Sequence, residues 1–344
     1  MPITYQKSGV DPEKAAKILG DFGRFLSTRP RDPALLSGIG PFAACYSLKE
    51  ILNRYEDPIL VTCCDGVGTK GKLALDWGDI SGLGQDLVAM NVNDLLCAGA
   101  DPMLFLDYYA CGHLEDTQLT TLLKSIQSAC EASFCSLAGG ETAEMPGLYQ
   151  KDDFDLAGFS IGMADRKNLY GPSRVKNGDS LVALASSGAH SNGYSLIRKL
   201  VDKAKLSPSA KTPFNNRTWK ETLLEPTTLY VALLKGWNRK VHALAHLTGG
   251  GLFENLPRVL PAGARAHVRP WQFSGLFEWI QATAEISTQD MLSTFNCGVG
   301  MLVVCPPEVA TELVKHASAS GVPAWETGTI ELTPSEKPPE ILWG

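Results

Sequence analysis

The sequence predicts an α/β (or α+β) protein of two domains, residues 1–170 and 171–344. Three observations carry this. Short apolar, β-branched runs alternate with helix-length segments in both halves, as mixed layers of sheet and helix require. The stretch YGPSRVKNGD (170–179) interrupts them with the Gly, Pro and polar composition of a linker. The chain has 344 residues, 44% of them apolar, enough to fill two cores of ordinary size.

The elements follow in order. Pro12 opens a helix that runs to about Leu26. PILVTCC (58–64), apolar and bounded by Pro58 and Asp65, reads as a buried strand. A long helix spans about Gly84 to Ala98 and stops at Gly99, and MLFLDYYAC (103–111) reads as the next strand. Asp116 is positioned to cap a helix through about Phe134, with strands at 135–138 and 154–163. Beyond the linker come a strand at 180–186, a helix over about 193–204, and a polar, irregular stretch at 206–222. A helix at 226–236, a strand at 241–247, a helix entry at 251–257, a strand at 298–305, a helix at 308–318 and a terminal strand complete the reading.

Composition excludes several function classes. Charged residues make up 20%, the net charge is -6, and no cluster of Lys and Arg supplies the electropositive footprint of a nucleic-acid protein. The longest apolar run, Val299 to Cys305, is broken by Gly300 and ends at Pro306, far short of a membrane span. The opening MPITYQKSGVD lacks the basic and apolar regions of a signal peptide, so a soluble, cytoplasmic protein without membrane or nucleic-acid partners is expected. The nine cysteines are odd in number, form no C-x-x-C pair and sit largely among aliphatics, which reads as reduced, buried thiols.

Several segments concentrate chemistry. DGVGTKGK (65–72) follows the first strand, and Gly66, Gly68 and Gly71 imitate a dinucleotide-binding turn. Gly66 to Lys72 imitates most of a phosphate-binding P-loop. Both readings fail on context, because Leu73 stands where the P-loop needs Ser or Thr, and Gly78 interrupts the helix a dinucleotide turn should open. What remains is an acid at a strand end, glycines, Thr69 and Lys70, a way to set a carboxylate and a cation beside a phosphate, or simply a tight turn. The next helix carries Val88, Val92, Leu95 and Leu96 on one arc and Asp86, Met90, Asn93 and Asp94 on another, with Asn91 at its margin. Residues 81–100 contain no Lys, Arg or Glu, so this polar arc is not an ordinary solvated face, and a buried carboxylate needs a partner. Asp107 raises the same question within an apolar strand.

GGETAEMPG (139–147) adds Glu141 and Glu144 at another strand end. Together with Asp65 and Asp94 these are hard oxygen ligands without paired His or Cys, a set that favours Mg2+ over zinc. In the second half, SSGAHSNGYSLIRK (186–199) sets His190, Ser191 and Asn192 in a loop entering a helix. Ala189 breaks the G-x-S-x-G of a serine hydrolase, and a lone loop histidine is more often structural than catalytic. HLTGGGLFENLPRVL (246–260) runs strand, glycine triplet, helix, which serves either an anion or close packing.

These segments, with YQKSGVD (5–11), DLVAMNVNDLLCAGADPMLFLDYYACG (86–112) and TFNCGVGM (294–301), stand in the order found in one enzyme family. Over essentially its whole length the chain resembles the phosphoribosylformylglycinamidine cyclo-ligases, the AIR synthetase or PurM family. The run D-x4-G-A-x-P, Asp94 to Pro102, is shared with a wider ATP-binding superfamily, whereas HSNGYSLIR, GGETAEMPG and TFNCGVGM together point to the cyclo-ligases.

The resemblance implies a two-domain PurM-like fold, a homodimer whose N-terminal sheets join into a barrel, and an active site between an N-terminal ATP-binding domain and a C-terminal domain. It implies ATP and Mg2+ as cofactors and formylglycinamidine ribonucleotide as substrate, cyclised to aminoimidazole ribonucleotide with release of ADP and phosphate. By the same resemblance Asp65, Asp94 and Glu141 hold Mg2+. Gly66, Gly68, Thr69, Lys70, Asn91, Gly139 and Gly140 lie with them around ATP, Lys70 at the phosphates. His190 and Asn192 orient or deprotonate the substrate beside Ser191, and Thr248, Gly249, Gly250 and Gly251 hold a phosphate of substrate or nucleotide. The family's glycine-rich GGLGGFGA-like segment appears here as SGIGPFAA (37–44), where Pro41 stiffens a loop expected near the nucleotide. The sister ATP users, thiamine-monophosphate kinase, selenophosphate synthase and the amidine-forming synthetase, share the Asp94 helix but should lack HSNGYSLIR. A non-catalytic nucleotide-binding scaffold should lose the second-half motifs, which are intact.

Overall fold

The structure is a computed structural model and describes residues 8–38 and 40–344, so the start of the YQKSGVD segment and Ile39 lie outside the described residues. The chain divides into two compact units. The first comprises everything described up to Leu95 together with Asp101–Lys167, and the second comprises Leu96–Ala100 with Asn168–Gly344. The division falls after Lys167, just ahead of the linker composition at 170–179.

In chain order the first unit contains α1 (Pro12–Ser27), α2 (Lys49–Leu52), β1 (Pro58–Gly66), α3 (Lys70–Asp76) and α4 (Leu83–Cys97). It continues with β2 (Asp101–Cys111), α5 (Asp116–Ala132), β3 (Ser136–Glu144) and β4 (Phe154–Asp165). Its sheet runs β1-β4-β2-β3, with β4 antiparallel to both β1 and β2, and β3 parallel to β2. Local signals explain most starts. Pro12 occupies the first turn of α1 while the Asp11 side chain accepts the Lys14 N–H at 3.1 Å. The residue that caps α5 is Glu115, whose carboxylate accepts the Gln118 N–H at 2.7 Å, one position ahead of the expected Asp116.

Helix α4 is buried along most of its length, with Leu87, Val88, Ala89, Val92 and Leu95 fully enclosed. Around this sheet the structure departs from expectation. The turn after β1 winds directly into α3, and β3 extends through GGETAE to Glu144 rather than stopping at 138. Glycine-rich sequence has little strand preference of its own, so the ladder to β2 is what recruits it. The opposite sheet face is poorly covered: Leu60 of β1 is 61% exposed and Phe159 of β4 43% exposed.

The second unit contains β5 (Ser180–Ala185), α6 (Tyr194–Lys203), α7 (Trp219–Leu223), α8 (Val231–Leu234), β6 (Ala243–His246) and α9 (Gly251–Asn255). Then come β7 (Ala264–Val268), α10 (Gly275–Ala284), α11 (Thr288–Thr294), β8 (Val299–Cys305), α12 (Pro307–Ala319), β9 (Ala324–Leu332) and β10 (Glu340–Trp343). Its sheet order is β10-β7-β9-β5-β8-β6, antiparallel throughout except for the β10–β7 pair. Strand β8 is wholly buried and β5 nearly so, which makes this pair the apolar centre of the unit. The stretch 206–222, read as irregular, yields α7, started by a reciprocal Thr218–Glu221 capping box and anchored by buried Trp219. The expected helix at 226–236 shrinks to α8, with Gly236 in the left-handed region at φ +83° just past its end. Among the described residues no helix is long and apolar enough to cross a membrane.

Candidate active site

In the first unit the strand register sets the chemistry. Asp65 of β1 pairs with Gly158 of β4, Gly158 pairs with Asp107 of β2, and Asp107 pairs with Gly140 of β3. Residues in one row across a sheet share a face, so two carboxyls and two glycines alternate on the side that α4 covers. The glycines are there for space. A Cβ at residue 158 would lie 2.7 Å from Asn91 Nδ2 and 2.5 Å from Phe105 Cζ, and one at residue 140 would overlap the Asp107 carboxyl.

Asn91, expected beside ATP, is fully buried over Gly158, and its amide donates to the carbonyls of Asp65 (3.2 Å) and Leu87 (2.9 Å). It therefore ties α4 to the strand end. The Asp65 carboxylate accepts the Gly66 N–H at 2.7 Å. Cys63 Sγ donates to the Asn91 carbonyl at 3.0 Å and lies 3.0 Å from Ser160 Oγ. Burial pushes this thiol up to about 11, and the Asp94 and Asp65 carboxylates add to the effect, so both acids lie within electrostatic reach of one buried sulfur. Asp107 is 6% exposed, and burial pushes its carboxyl up to about 7.

The expected metal trio is not assembled. Glu141 pairs with Tyr108, one residue past the Gly140–Asp107 pair, so strand alternation turns it to the opposite face, where it is exposed. Among the described residues no three His, Cys, Asp or Glu side chains gather into a metal site. The pair of Asp65 and Asp94 still suits Mg2+, which is commonly held by one or two carboxylates together with phosphates and water. Lys70, expected at the ATP phosphates, is fully buried with Nζ 2.8 Å from Asp86 Oδ1. That pairing answers the sequence-level question of what neutralises an acid inside α4. Before Lys70, Gly68 takes φ +56° and Thr69 is exposed, its side chain making no capping bond to α3.

The second unit brings the two remaining loops together. Asn192 Oδ1 accepts the Gly249 N–H at 3.0 Å, joining the loop of His190 and Ser191 to the Thr248–Gly251 turn. Gly193 stands at φ +75° ahead of α6, and a side chain there would overlap the Phe295 ring. In the glycine turn, Gly250 and Gly251 take φ +87° and +56°, while Asn255 Nδ2 donates to the carbonyls of Gly249 (3.2 Å) and Gly251 (2.8 Å). Thr248 Oγ1 donates to Asn255 Oδ1 at 3.4 Å. Ser191 Oγ is buried with no hydrogen-bond partner among the described residues.

His190, expected to orient or deprotonate the substrate, is fully buried at φ +58°, and its Nε2 takes long N–H contacts from Ser187 (3.4 Å) and Thr228 (3.5 Å). Its Cε1 would lie 2.5 Å from a Cβ at residue 300, so Gly300 of β8 is the floor beneath the ring. The Gly300 carbonyl also accepts the Leu247 N–H at 2.9 Å, directly ahead of the glycine turn. An enclosed imidazole of this kind shapes its loop. Sequence reasoning singled out these loops but missed the residues that hold them, Asn255 and Phe295, as well as the roles of Gly140, Gly158 and Gly300.

Both units match the AIR synthase related proteins, the N-terminal domain over residues 43–164 and the C-terminal domain over 176–338. Two solved structures share the fold over nearly the whole chain. Thiamine-monophosphate kinase from Stenotrophomonas maltophilia K279a superimposes with a TM-score of 0.66 at 17% identity, covering 94% of this chain and 95% of that one. The hydrogenase maturation protein HypE in complex with ATP gives 0.62 at 19% identity, covering 93% and 87%. Fold and site thus define a two-domain, PurM-like protein of the AIR synthase related class. Within that class the relatives at high identity are narrower in kind. The chain is 44% identical over 341 residues to the phosphoribosylformylglycinamidine cyclo-ligases of Coxiella burnetii strains RSA 331 / Henzerling II and RSA 493 / Nine Mile phase I, covering 98% of this chain and 95% of each relative. It belongs to the phosphoribosylformylglycinamidine cyclo-ligase family.

Proposed function

We propose that this chain closes the imidazole ring of purine biosynthesis, converting formylglycinamidine ribonucleotide and ATP to aminoimidazole ribonucleotide, ADP and phosphate. The observation that carries the reading is 44% identity to named cyclo-ligases across 98% of the chain. The contact between the His190–Ser191–Asn192 loop and the glycine turn supports it, because the sister ATP users should lack the first of these.

The chemistry fits the residues. An amide oxygen leaves poorly, so the formyl oxygen takes the γ-phosphoryl group of ATP and ADP departs. The amidine nitrogen then attacks the activated carbon, the ring closes with loss of a proton, and the C–O bond to phosphate breaks. Asp65 and Asp94 would hold Mg2+ against the nucleotide phosphates, where it would neutralise charge on the transferred group. Gly66, Gly68 and exposed Thr69 offer backbone and hydroxyl groups to the same phosphates. Lys70 serves this site from within, by fixing Asp86 and the start of α3. Asn192, Ser191 and the Thr248–Gly251 turn receive the substrate, while His190 keeps their loop in shape. The exposed apolar sheet face with Leu60 and Phe159 supports a homodimer in which a second copy covers it.

The test is incubation with ATP, Mg2+ and formylglycinamidine ribonucleotide, with assay for the aminoimidazole product. Phosphate release that depends on this substrate is expected. Equal stimulation by thiamine monophosphate or selenide, or nucleotide binding without turnover, would overturn the assignment.

A further inference from the structure

The segment TFNCGVGM (294–301) marks the family in sequence, and beyond Phe295 and Gly300 its residues have no role in the reading above. It leads from the end of α11 into buried β8, and its backbone is locally strained: Cys297 takes φ +49° and Gly298 φ +94°. The indole N–H of Trp271 holds the Cys297 carbonyl at 2.9 Å. A strained turn persists only where surrounding contacts over-determine it, and the contacts here converge on the neighbouring loop.

Asn296 is 2% exposed. Its Oδ1 accepts the Gly298 N–H at 3.0 Å and the Ser186 hydroxyl at 3.3 Å, and its Nδ2 donates to the Gly188 carbonyl at 2.9 Å. The backbone donor at Gly298 and the backbone acceptor at Gly188 fix which end of the amide is which. The Ser186 N–H donates to the Gly298 carbonyl at 2.9 Å, so the segment grips the entry of the loop twice. Phe295 fills the space beside Gly193 at the exit. The loop that carries His190, Ser191 and Asn192 is therefore clamped at its start by Asn296 and at its end by Phe295, and its far side meets Gly249 through Asn192.

We infer that Asn296 is a positioning residue for the substrate loops: its amide sets the 188–193 loop and, through Asn192, the Gly249 turn. The inference rests on the proposed cyclo-ligase activity only in naming what the loops bind. Among side chains of this length, asparagine alone offers an amide acceptor and donor on one planar group. Aspartate keeps the acceptor for Gly298 and Ser186 but turns a second oxygen toward the Gly188 carbonyl, which removes the loop bond and leaves the local turn intact.

The experiment compares wild-type protein with Asn296→Asp and Asn296→Ala, the alanine variant giving a neutral loss of both bonds should the aspartate fail to fold. Hydrogen–deuterium exchange is read in the apo proteins, and steady-state kinetics with formylglycinamidine ribonucleotide and ATP. Exchange is expected to rise at 186–193 and also at 248–251, which Asn296 does not touch, while β5 and β8 stay protected. A misplaced substrate loop is expected to lower kcat/KM for formylglycinamidine ribonucleotide by about 10²-fold, with KM for ATP unchanged. A purely structural role predicts a lower melting temperature with kcat/KM for the ribonucleotide kept. Unchanged exchange at 248–251, or an unchanged kcat/KM for the ribonucleotide in a folded variant, overturns the inference. Failure of the wild-type protein to convert the ribonucleotide would instead sink the functional reading, and the exchange data would still decide the role of Asn296.

Discussion

Asp107→Asn should make the protein more stable at alkaline than at acidic pH relative to wild type. The carboxyl lies in β2 against Gly140 with 6% exposure, and burial raises it from its ordinary 3.8 to about 7. A raised native-state value means that protons bind the folded form more tightly than the unfolded one. The stabilisation is fully present below about pH 4, where both states are protonated, and is lost as pH rises to about 7. A shift of about three units corresponds to about 4 kcal/mol over the whole window, of which about 3 kcal/mol falls between pH 5 and pH 8. Asparagine keeps the shape and stays neutral, so its fixed packing cost cancels when the two proteins are compared across pH. The nearby Cys130 thiol, itself pushed well above its usual value by burial, stays neutral in both. Urea denaturation of each protein at about pH 5 and about pH 8 reads the effect directly. A variant-minus-wild-type difference that fails to grow by more than about 1 kcal/mol toward alkaline pH would refute the argument, and with it the neutral state of Asp107 in the fold.

Three further outcomes follow from the geometry. Lys70→Met leaves the Asp86 carboxylate buried alone and should cost about 3–5 kcal/mol, while the double change Lys70→Met with Asp86→Leu should recover most of it; a lone Lys70→Met that keeps apo stability but loses ATP stabilisation would return Lys70 to the phosphates. Asp94→Asn should melt no lower than wild type without ligand, gain less from Mg2+ with ATP, and turn over slower by orders of magnitude; wild-type activity would end its metal role. Leu60→Glu should halve the mass seen by sedimentation while the circular dichroism of the fold is kept, and an unchanged mass would dismiss the open sheet face as the dimer surface.

What the sequence made legible were the features written in local pattern. The apolar length of α4 and the Pro12 start of α1 follow from neighbouring residues, and the structure has them within a residue or two; β1, read as a buried strand, forms in place but alternates exposed and half-buried residues. Elements formed by context were not legible. Strand β3 exists beyond Ala138 because β2 offers a ladder, and α7 depends on a capping box inside a polar stretch. The site divides along the same line. The acids and the glycine loops announce themselves by residue type, but which face Glu141 takes is a matter of register, a property of the pair of strands rather than of either. For Lys70, cation and glycines together suggest phosphate, while its partner Asp86 sits sixteen residues away on another helix and was not legible. The burial of His190 was hidden in the same way, because it comes from Gly300 and from Thr228, both distant in sequence.

Gly300 has a thermodynamic consequence for the loops on either side of it. Its missing side chain houses the His190 ring, and its carbonyl takes the Leu247 N–H. Two loops are thus moored to one point on the wholly buried strand β8. They cannot fluctuate as independent bodies, so a ligand that quiets one has already quieted much of the other. The ordering entropy of the site is incurred once rather than twice, and a small molecule touching only the glycine turn should slow the motions of the histidine loop without any shift in its mean position.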